Sequence, residues 1–317
     1  MSDIQVGFNA VDTIRKAVLT TPELADYGVK TPQQMSNFIE LMRREPNIFR
    51  YADVVSMSTK KRVFSKMDIT RRFLRPGAEA SGLTDSEFGN ADYSETELDT
   101  VKVIGELPIS YEALEDNIAG NNLMRSLRSL IMKRVTEDFG DLVWNGDTTS
   151  SDPYLAQLNG ILAQISTNSY DFSNNTVTRT NLGSTYKQVP NKYLSRINQF
   201  KFYLHNIPIF DYMLSLAGVA ADRGIQINES TYNPTPFGNE MVPSPLIGTY
   251  ANGSDTNSQG VFTLPENIKI GIYRPFNIKM IDVPREEQMV LHVSGRIGVK
   301  LLVEEMAVLM DNVKHSA

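Results

Sequence analysis

The sequence predicts an α+β fold in which one long helix is combined with antiparallel strands. Apolar residues recur at three- and four-residue steps over residues 123–144, which is the pattern of a long amphipathic helix. Isoleucines alternate with polar or glycine neighbours over residues 268–272, and apolar residues alternate similarly over 291–303, which predicts half-buried strands. Residues 54–107 divide into a basic half and an acidic half, which predicts a long hairpin.

Composition excludes several classes of protein. The 317 residues are 41% hydrophobic, enough for a sizeable core in one or two domains. The net charge of -6 provides no general attraction to nucleic acid or to an acidic membrane surface. Without cysteine there can be no disulfide, thiolate metal site or cysteine nucleophile, which fits synthesis in a reducing cytoplasm. Because there is neither a signal peptide at the start nor a long apolar run, we expect a soluble protein.

Residues 1–53 have a weakly helical pattern and predict an N-terminal arm. Phe38, Ile39, Leu41 and Met42 form its apolar group, just before Pro46. Such an arm can bury little of its own surface, so we expect it to lie on its own domain or on a neighbouring subunit. A frayed terminus is an equally open alternative.

Residues 54–107 contain the candidate interface residues. The basic half and the acidic half meet at Pro76, Gly77 and Gly82. Charges can then pair across the strands or with another subunit, each exposed pair contributing about 0–1 kcal/mol. The candidates are Lys60, Lys61, Arg62, Lys66, Arg71, Arg72, Arg75, Glu79, Asp85, Glu87, Asp92, Glu95, Glu97 and Asp99.

The apolar content of this hairpin is too low for a core, so it predicts a projecting loop that finds its partner in an assembly. A disordered insertion is the alternative. Phe64 and Phe73 between the basic residues also allow stacking on nucleic-acid bases, but the acidic half would neutralise the basic patch.

The long helix is preceded by a start signal. Pro108 is expected to end a strand, and Ser110 to cap a short first helix whose N-terminus is complemented by Glu112 and Glu115. The middle of the chain predicts mixed elements, among them a strand over 201–205 and a helix that starts at Pro208. Turns at Pro275 and Pro284 favour an antiparallel pair of strands near the end of the chain.

The order of these motifs resembles a known family. ELPISYEALEDNIAG is followed by a long helix ending in DLVWNGD and then by LNGILAQI. Together with the preceding arm and charged hairpin, this order resembles the HK97-type fold of major capsid proteins of tailed bacteriophages. The resemblance, which spans nearly the whole chain, implies an N-terminal arm (1–53), an extended loop or E-loop (54–107), a discontinuous peripheral domain with a spine helix and antiparallel sheet (108–147 and 268–317) and an axial domain (148–267).

The resemblance also implies a function. We expect a major capsid protein that assembles with itself, as hexamers and pentamers, into the icosahedral head of a virion built in the bacterial cytoplasm. Packaged DNA would be near it without specific contacts, and scaffolding, portal and decoration proteins would be separate chains. An encapsulin-like shell around an enzyme cargo is the alternative. Some family members cross-link a lysine to an asparagine, but Lys60, Lys61 and Lys66 do not match that motif.

No catalytic motif was found. His205, His292 and His315 are far apart in sequence and are expected to be ordinary surface or packed histidines. The chain lacks a dinucleotide-binding or phosphate-binding glycine motif, and the acidic residues of 147–152 lack the pattern of a calcium-binding EF-hand loop. We therefore expect no enzyme activity, cofactor or metal. A hydrolase remains a third hypothesis without a supporting motif.

Overall fold

The computed structural model describes residues 48–69, 74, 91–112, 121–222 and 234–315. Nearly all of the predicted arm lies outside these ranges. So do six of the candidate interface residues, namely Arg71, Arg72, Arg75, Glu79, Asp85 and Glu87.

Helices and strands alternate along the described chain. The α-helices are α1 Ile48–Tyr51, α2 Asn121–Asn145, α3 Arg179–Lys187 and α4 Asn206–Asp222. The first six strands are β1 Asp53–Ser56, β2 Lys61–Asp68, β3 Asp92–Asp99, β4 Val101–Ser110, β5 Ser169–Asp171 and β6 Lys201–Leu204. The others are β7 Met241–Pro243, β8 Thr249–Asn252, β9 Asp255–Thr263, β10 Ile268–Val283, β11 Gln288–Leu301 and β12 Val308–Lys314.

A four-stranded sheet in the order β1-β10-β11-β4 carries the long helix α2. Strands β10 and β11 pair antiparallel, as the sequence predicted, and β1 runs parallel to β10. Toward its C-terminal end α2 buries Phe139, Leu142 and Trp144 in one cluster with Ile270 and Ile297 of the sheet. The predicted long amphipathic helix is therefore confirmed, and its apolar side covers one face of this sheet.

The second sheet has the order β5-β12-β9-β6-β7, with β8 paired to β9. Its core includes Phe202 and Phe262, whose rings stack with centroids 4.1 Å apart. The sequence analysis assigned all of 268–317 to the peripheral domain with the spine helix, whereas strand β12 pairs in the second sheet. Val308, Met310 and Val313 belong to the same cluster as the two phenylalanines, so burial of their apolar side chains holds β12 in the second sheet.

The two sheets meet where β9 ends and β10 begins. Trp144 of α2 packs against Tyr203 of β6 with ring centroids 5.5 Å apart. Asn267, between the strands, donates to the carbonyl oxygen of Val303 at 2.9 Å and accepts from its N–H at 2.8 Å. This buried amide is satisfied by both bonds, so it fixes the crossover between the sheets.

The predicted strand end at Pro108 was wrong. Strand β4 runs through Pro108, which lies opposite Val290, and ends at Ser110. Because β4 is the edge strand of its sheet, the N–H that proline lacks is not needed for pairing. Ser110 is the last residue of β4, and most of the short helix that it was predicted to cap lies outside the described residues.

Candidate assembly interface

The predicted hairpin of opposite charge is present. Strands β2 and β3 pair antiparallel in a sheet of their own, in register from Lys61 opposite Asp99 to Asp68 opposite Asp92. This two-stranded sheet is shorter than the predicted range 54–107. The residues at the two ends of that range belong to β1 and β4, which are strands of the four-stranded sheet.

Charges pair across the hairpin close to its base. Lys61 forms a salt bridge with Glu97, and its Nζ also lies 3.8 Å from Oδ2 of Asp99. The other carboxylate oxygen of Asp99, Oδ1, lies 3.8 Å from the Nζ of Lys60. The hydrogen bond to Glu97 raises the pKa of Lys61. All four side chains are about half exposed, so each pair adds little to the stability of the single chain.

The remaining described candidates have other surroundings. The guanidinium of Arg62 lies 5.2 Å from the ring centroid of Phe64. Partial burial lowers the pKa of Lys66. Glu95 accepts a hydrogen bond of 2.8 Å from the Tyr93 hydroxyl, and Asp92 lies opposite Asp68 at the end of the hairpin. The structure thus brings these residues onto one hairpin, while their role between subunits remains a prediction.

One face of the hairpin packs on its own chain. Leu98 is fully buried, and its side chain covers Gly271 of β10, where an added Cβ would lie 2.9 Å from the leucine methyl. The Thr96 hydroxyl donates to the carbonyl oxygen of Leu302 at 3.1 Å. At the base, the hydroxyl and the N–H of Thr100 donate to the carbonyl oxygen of Lys60 at 2.8 and 3.1 Å. These contacts anchor the hairpin across the sheet.

The opposite face, called here the outer face, has exposed apolar side chains. Val63 is 50% exposed, Met67 is 74% exposed and Tyr93 is 59% exposed. Ile69 continues the same alternation and is 53% exposed. Sequence reasoning found these apolar residues too few for a core and did not identify a surface. Their two-residue spacing was the available signal, because it places them on one side of a strand.

The histidines and acidic residues form no metal cluster within the described ranges. The rings of His205 and His315 stack with centroids 4.9 Å apart, and Nδ1 of His292 lies 2.8 Å from a carboxylate oxygen of Glu106. No described helix is both long enough and apolar enough to cross a membrane.

The chain is similar to a named protein along nearly its whole length. It is 30% identical over 311 residues to YqbE of Bacillus subtilis strain 168, which is named as a prophage capsid protein, and the match covers 96% of this chain and 99% of that one. No family model matches.

Solved structures share the fold at much lower identity. The capsid of the native GTA particle has a TM-score of 0.61 at 12% identity and covers 93% of this chain and 98% of that one. The structure titled Gordonia phage Cozz has a TM-score of 0.60 at 14% identity, with 91% and 95% covered. The SrpI encapsulin of Synechococcus elongatus has a TM-score of 0.54 at 13% identity, with 98% and 99% covered. The chain belongs to the family of the prophage capsid protein and has the HK97-type fold of tailed-phage capsid proteins.

Proposed function

We propose that this chain is a major capsid protein that assembles with itself into an icosahedral head enclosing phage DNA. The observation that carries the proposal is the full-length similarity to a prophage capsid protein at 30% identity. Hexamers and pentamers of the chain would form the shell. The role is structural and not catalytic.

The hairpin supports this role physically. Its outer face exposes Val63, Met67 and Tyr93, and burying such side chains against a neighbour would contribute about 25 cal/mol per Å² of apolar surface. Exposed ion pairs add little individually. In a closed shell, however, every contact is repeated by symmetry, so modest contacts add up to a stable assembly. The candidate residues Lys60 to Asp99 would act in this contact between subunits.

The domain division proposed for the chain follows the sheets. The arm is 1–53 and the E-loop lies within 54–107. The peripheral domain combines 108–147 with the strands of 268–301, and the axial domain combines 148–267 with β12. Each of these two domains would then be built on one sheet, to which β1 and most of β4 are added in the peripheral domain from the arm and E-loop ranges, and both domains would be discontinuous in sequence.

Other partners are proposed from the same role. Scaffolding, portal and decoration proteins would be separate chains. The net charge of -6 would let packaged DNA lie against the shell without tight binding, because few phosphates would be neutralised. The protein would assemble in the bacterial cytoplasm and remain in the virion.

The second candidate is an encapsulin-like shell with an enzyme cargo. The specific observation in its favour is the coverage of 98% of this chain by the fold of the SrpI encapsulin. That likeness concerns the fold alone, and the capsid relative is much closer in sequence.

The deciding experiment is expression of the full chain followed by sedimentation, electron microscopy and measurement of nucleic acid in the particles. We expect closed shells, and particles from a producing lysogen should contain DNA. DNA-free shells with a protein cargo would establish the encapsulin reading. A chain that stays monomeric at high concentration would contradict both.

A further inference from the structure

Polar side chains from four parts of the chain meet on the second sheet. They come from β5 and the turn after it, from β8, from β9 and from β12. We call this set the polar cluster, and its members are Asp171, Asn174, Tyr250, Asn252, Asn257, Asp311 and Asn312. Hydrogen bonds of 2.6–3.4 Å link all of these side chains into one network.

A bulge in β12 brings two neighbouring side chains to the polar cluster. From Met310 to Val313, β12 has one residue more than the stretch of β9 that it pairs with. Asp311 and Asn312 lie in this bulge, and Asn312 has a positive φ of 51°. In a regular strand, successive side chains point to opposite faces, so the bulge is what lets both residues join the same network.

Two carboxylates of the polar cluster face each other without a basic partner. Asp171 and Asp311 are directly paired in the register of the parallel strands β5 and β12. Neither forms a salt bridge with a described lysine, arginine or histidine. The N–H of Ser173 and the amide of Asn312 donate to Asp171 and lower its pKa, so this carboxyl is ionised at neutral pH. Like charges placed this way repel each other, and a bound cation would remove the repulsion.

A buried amide of the polar cluster has an oxygen without a partner. Asn257 is fully buried, and its Nδ2 donates to Oδ1 of Asn174 at 2.6 Å, which places the amide in the network. Its own Oδ1 is buried and accepts no hydrogen bond from the described residues. Because buried polar atoms are normally satisfied by protein, water or an ion, this oxygen indicates a ligand at the polar cluster.

The oxygens of the polar cluster suit a hard cation. Calcium prefers carboxylate and amide oxygens, about six to eight of them at about 2.3–2.6 Å. Oδ1 of Asn174 accepts from the amides of Asn252 and Asn257 at 2.8 and 2.6 Å, so three side chains converge on one point. A half-turn of an asparagine amide exchanges its NH₂ group for its oxygen, which would present further oxygens at that point.

We propose that the polar cluster is a calcium-binding site that ties β5, β9 and β12 together. The ligands are the carboxylates of Asp171 and Asp311 and amide oxygens of the cluster, among them Oδ1 of Asn257. Only two of the ligands are acidic, so the site differs from a cluster of three acidic or histidine residues. A sequence motif does not reveal it, because Asp171 and its partner Asn312 are 141 residues apart.

The first test uses the full chain, freed of divalent cations with a chelator and then titrated with calcium chloride. Calorimetry should give saturable binding with a Kd of about 1 mM or tighter, and calcium should raise the melting temperature. Magnesium should bind more weakly, because it demands near-octahedral geometry. Terbium in place of calcium should luminesce when tyrosine is excited, since the Tyr250 hydroxyl lies 3.0 Å from oxygens of both Asp311 and Asn312.

Substitutions locate the ion. Asp171→Asn together with Asp311→Asn should weaken calcium binding at least about tenfold, while the melting temperature in chelator stays the same or rises. Asn257→Asp should act in the opposite direction: it should lower the melting temperature in chelator, bind calcium more tightly and regain stability when calcium is added. Asp147→Asn is the matched control and should bind calcium normally, because Asp147 accepts similar turn hydrogen bonds from Thr149 but lies outside the polar cluster.

Each outcome decides the proposal. Absence of saturable calcium binding by the unsubstituted chain would overturn the site and leave water as the partner of the Asn257 oxygen. Unchanged binding by the double variant would place the ion elsewhere and overturn it too. Asn257→Asp that calcium does not stabilise would overturn the buried amide as a ligand. None of these measurements requires shells, so failure of the proposed function and failure of the calcium site are separate results.

Discussion

The carbonyl oxygen of Asp99 lies directly over Gly298, so that a Cβ added to this glycine would overlap the oxygen. Asp99 ends strand β3 of the hairpin, and Gly298 is in the middle of β11. The hairpin can therefore cross the sheet in backbone contact only because residue 298 has no side chain. This backbone contact fixes the position of the hairpin base on β11.

Gly298→Ala is expected to lower the free energy of unfolding by about 1–3 kcal/mol, because the hairpin base must move away from the sheet. Chemical denaturation of the unassembled chain would measure it. Gly105→Ala is the matched control, since Gly105 lies in β4 of the same sheet with open space around it and should change stability by much less. Equal effects of the two substitutions would contradict the close contact at Gly298.

Substitutions on the two faces of the hairpin should separate folding from assembly. Leu98→Ala removes a fully buried side chain and should cost about 2–5 kcal/mol of unfolding free energy. Met67→Asp, on the outer face, should leave the stability of the unassembled chain within about 0.5 kcal/mol and abolish shells. Denaturation and sedimentation of the same preparations give both measurements. Normal shells from Met67→Asp would show that the outer face is not a contact.

Glu304 should make the protein sensitive to strong acid. Its carboxylate accepts hydrogen bonds of 2.7–2.9 Å from the N–H groups and hydroxyls of Ser166 and Thr167. Desolvation alone would raise the pKa of Glu304, but these four bonds outweigh it and lower the pKa to about 2. Because the folded pKa is below the ordinary 4.5, the stabilisation is complete above pH 4.5 and is lost as the pH falls toward 2.

Glu304→Gln should therefore reduce unfolding free energy by about 1 kcal/mol at pH 7 and flatten its dependence on pH below 4.5. Denaturant titrations at several pH values would measure both effects. If the variant and the unsubstituted chain lose stability in parallel on acidification, the carboxylate is not responsible.

Titration of His315 should add a second pH dependence of the unfolding free energy, at a pH closer to neutral. Burial lowers the pKa of His315, and nearby Asp211 opposes this shift only in part. Below about pH 6.5 the unfolded chain takes up a proton that the folded chain does not, so the free energy of unfolding falls as the pH drops from 6.5 toward the folded pKa. The loss is at most about 1.4 kcal/mol per pH unit.

His315→Phe keeps a ring against His205 and removes the titration. Between pH 7.5 and 5, the unfolding free energy of this variant should change less than that of the unsubstituted chain. Urea denaturation at several pH values would measure the difference. Comparison at pH 8 is the control, since the imidazole is neutral in both states there. Curves with the same slope below pH 6.5 would rule out His315 as the source.

The sequence by itself determined the long helix over 121–145, the antiparallel strands near the end of the chain and the hairpin of opposite charge. Each depends on local periodicity or on charge order, which residues near in sequence encode. Only the tertiary structure decided that β12 joins the second sheet, that β4 continues through Pro108 and that a bulge turns Arg274 to the same face of the sheet as Arg296. Strand order, edge position and facing side chains arise from pairing between residues far apart in the chain, and periodicity within one segment does not record which partner a strand will meet.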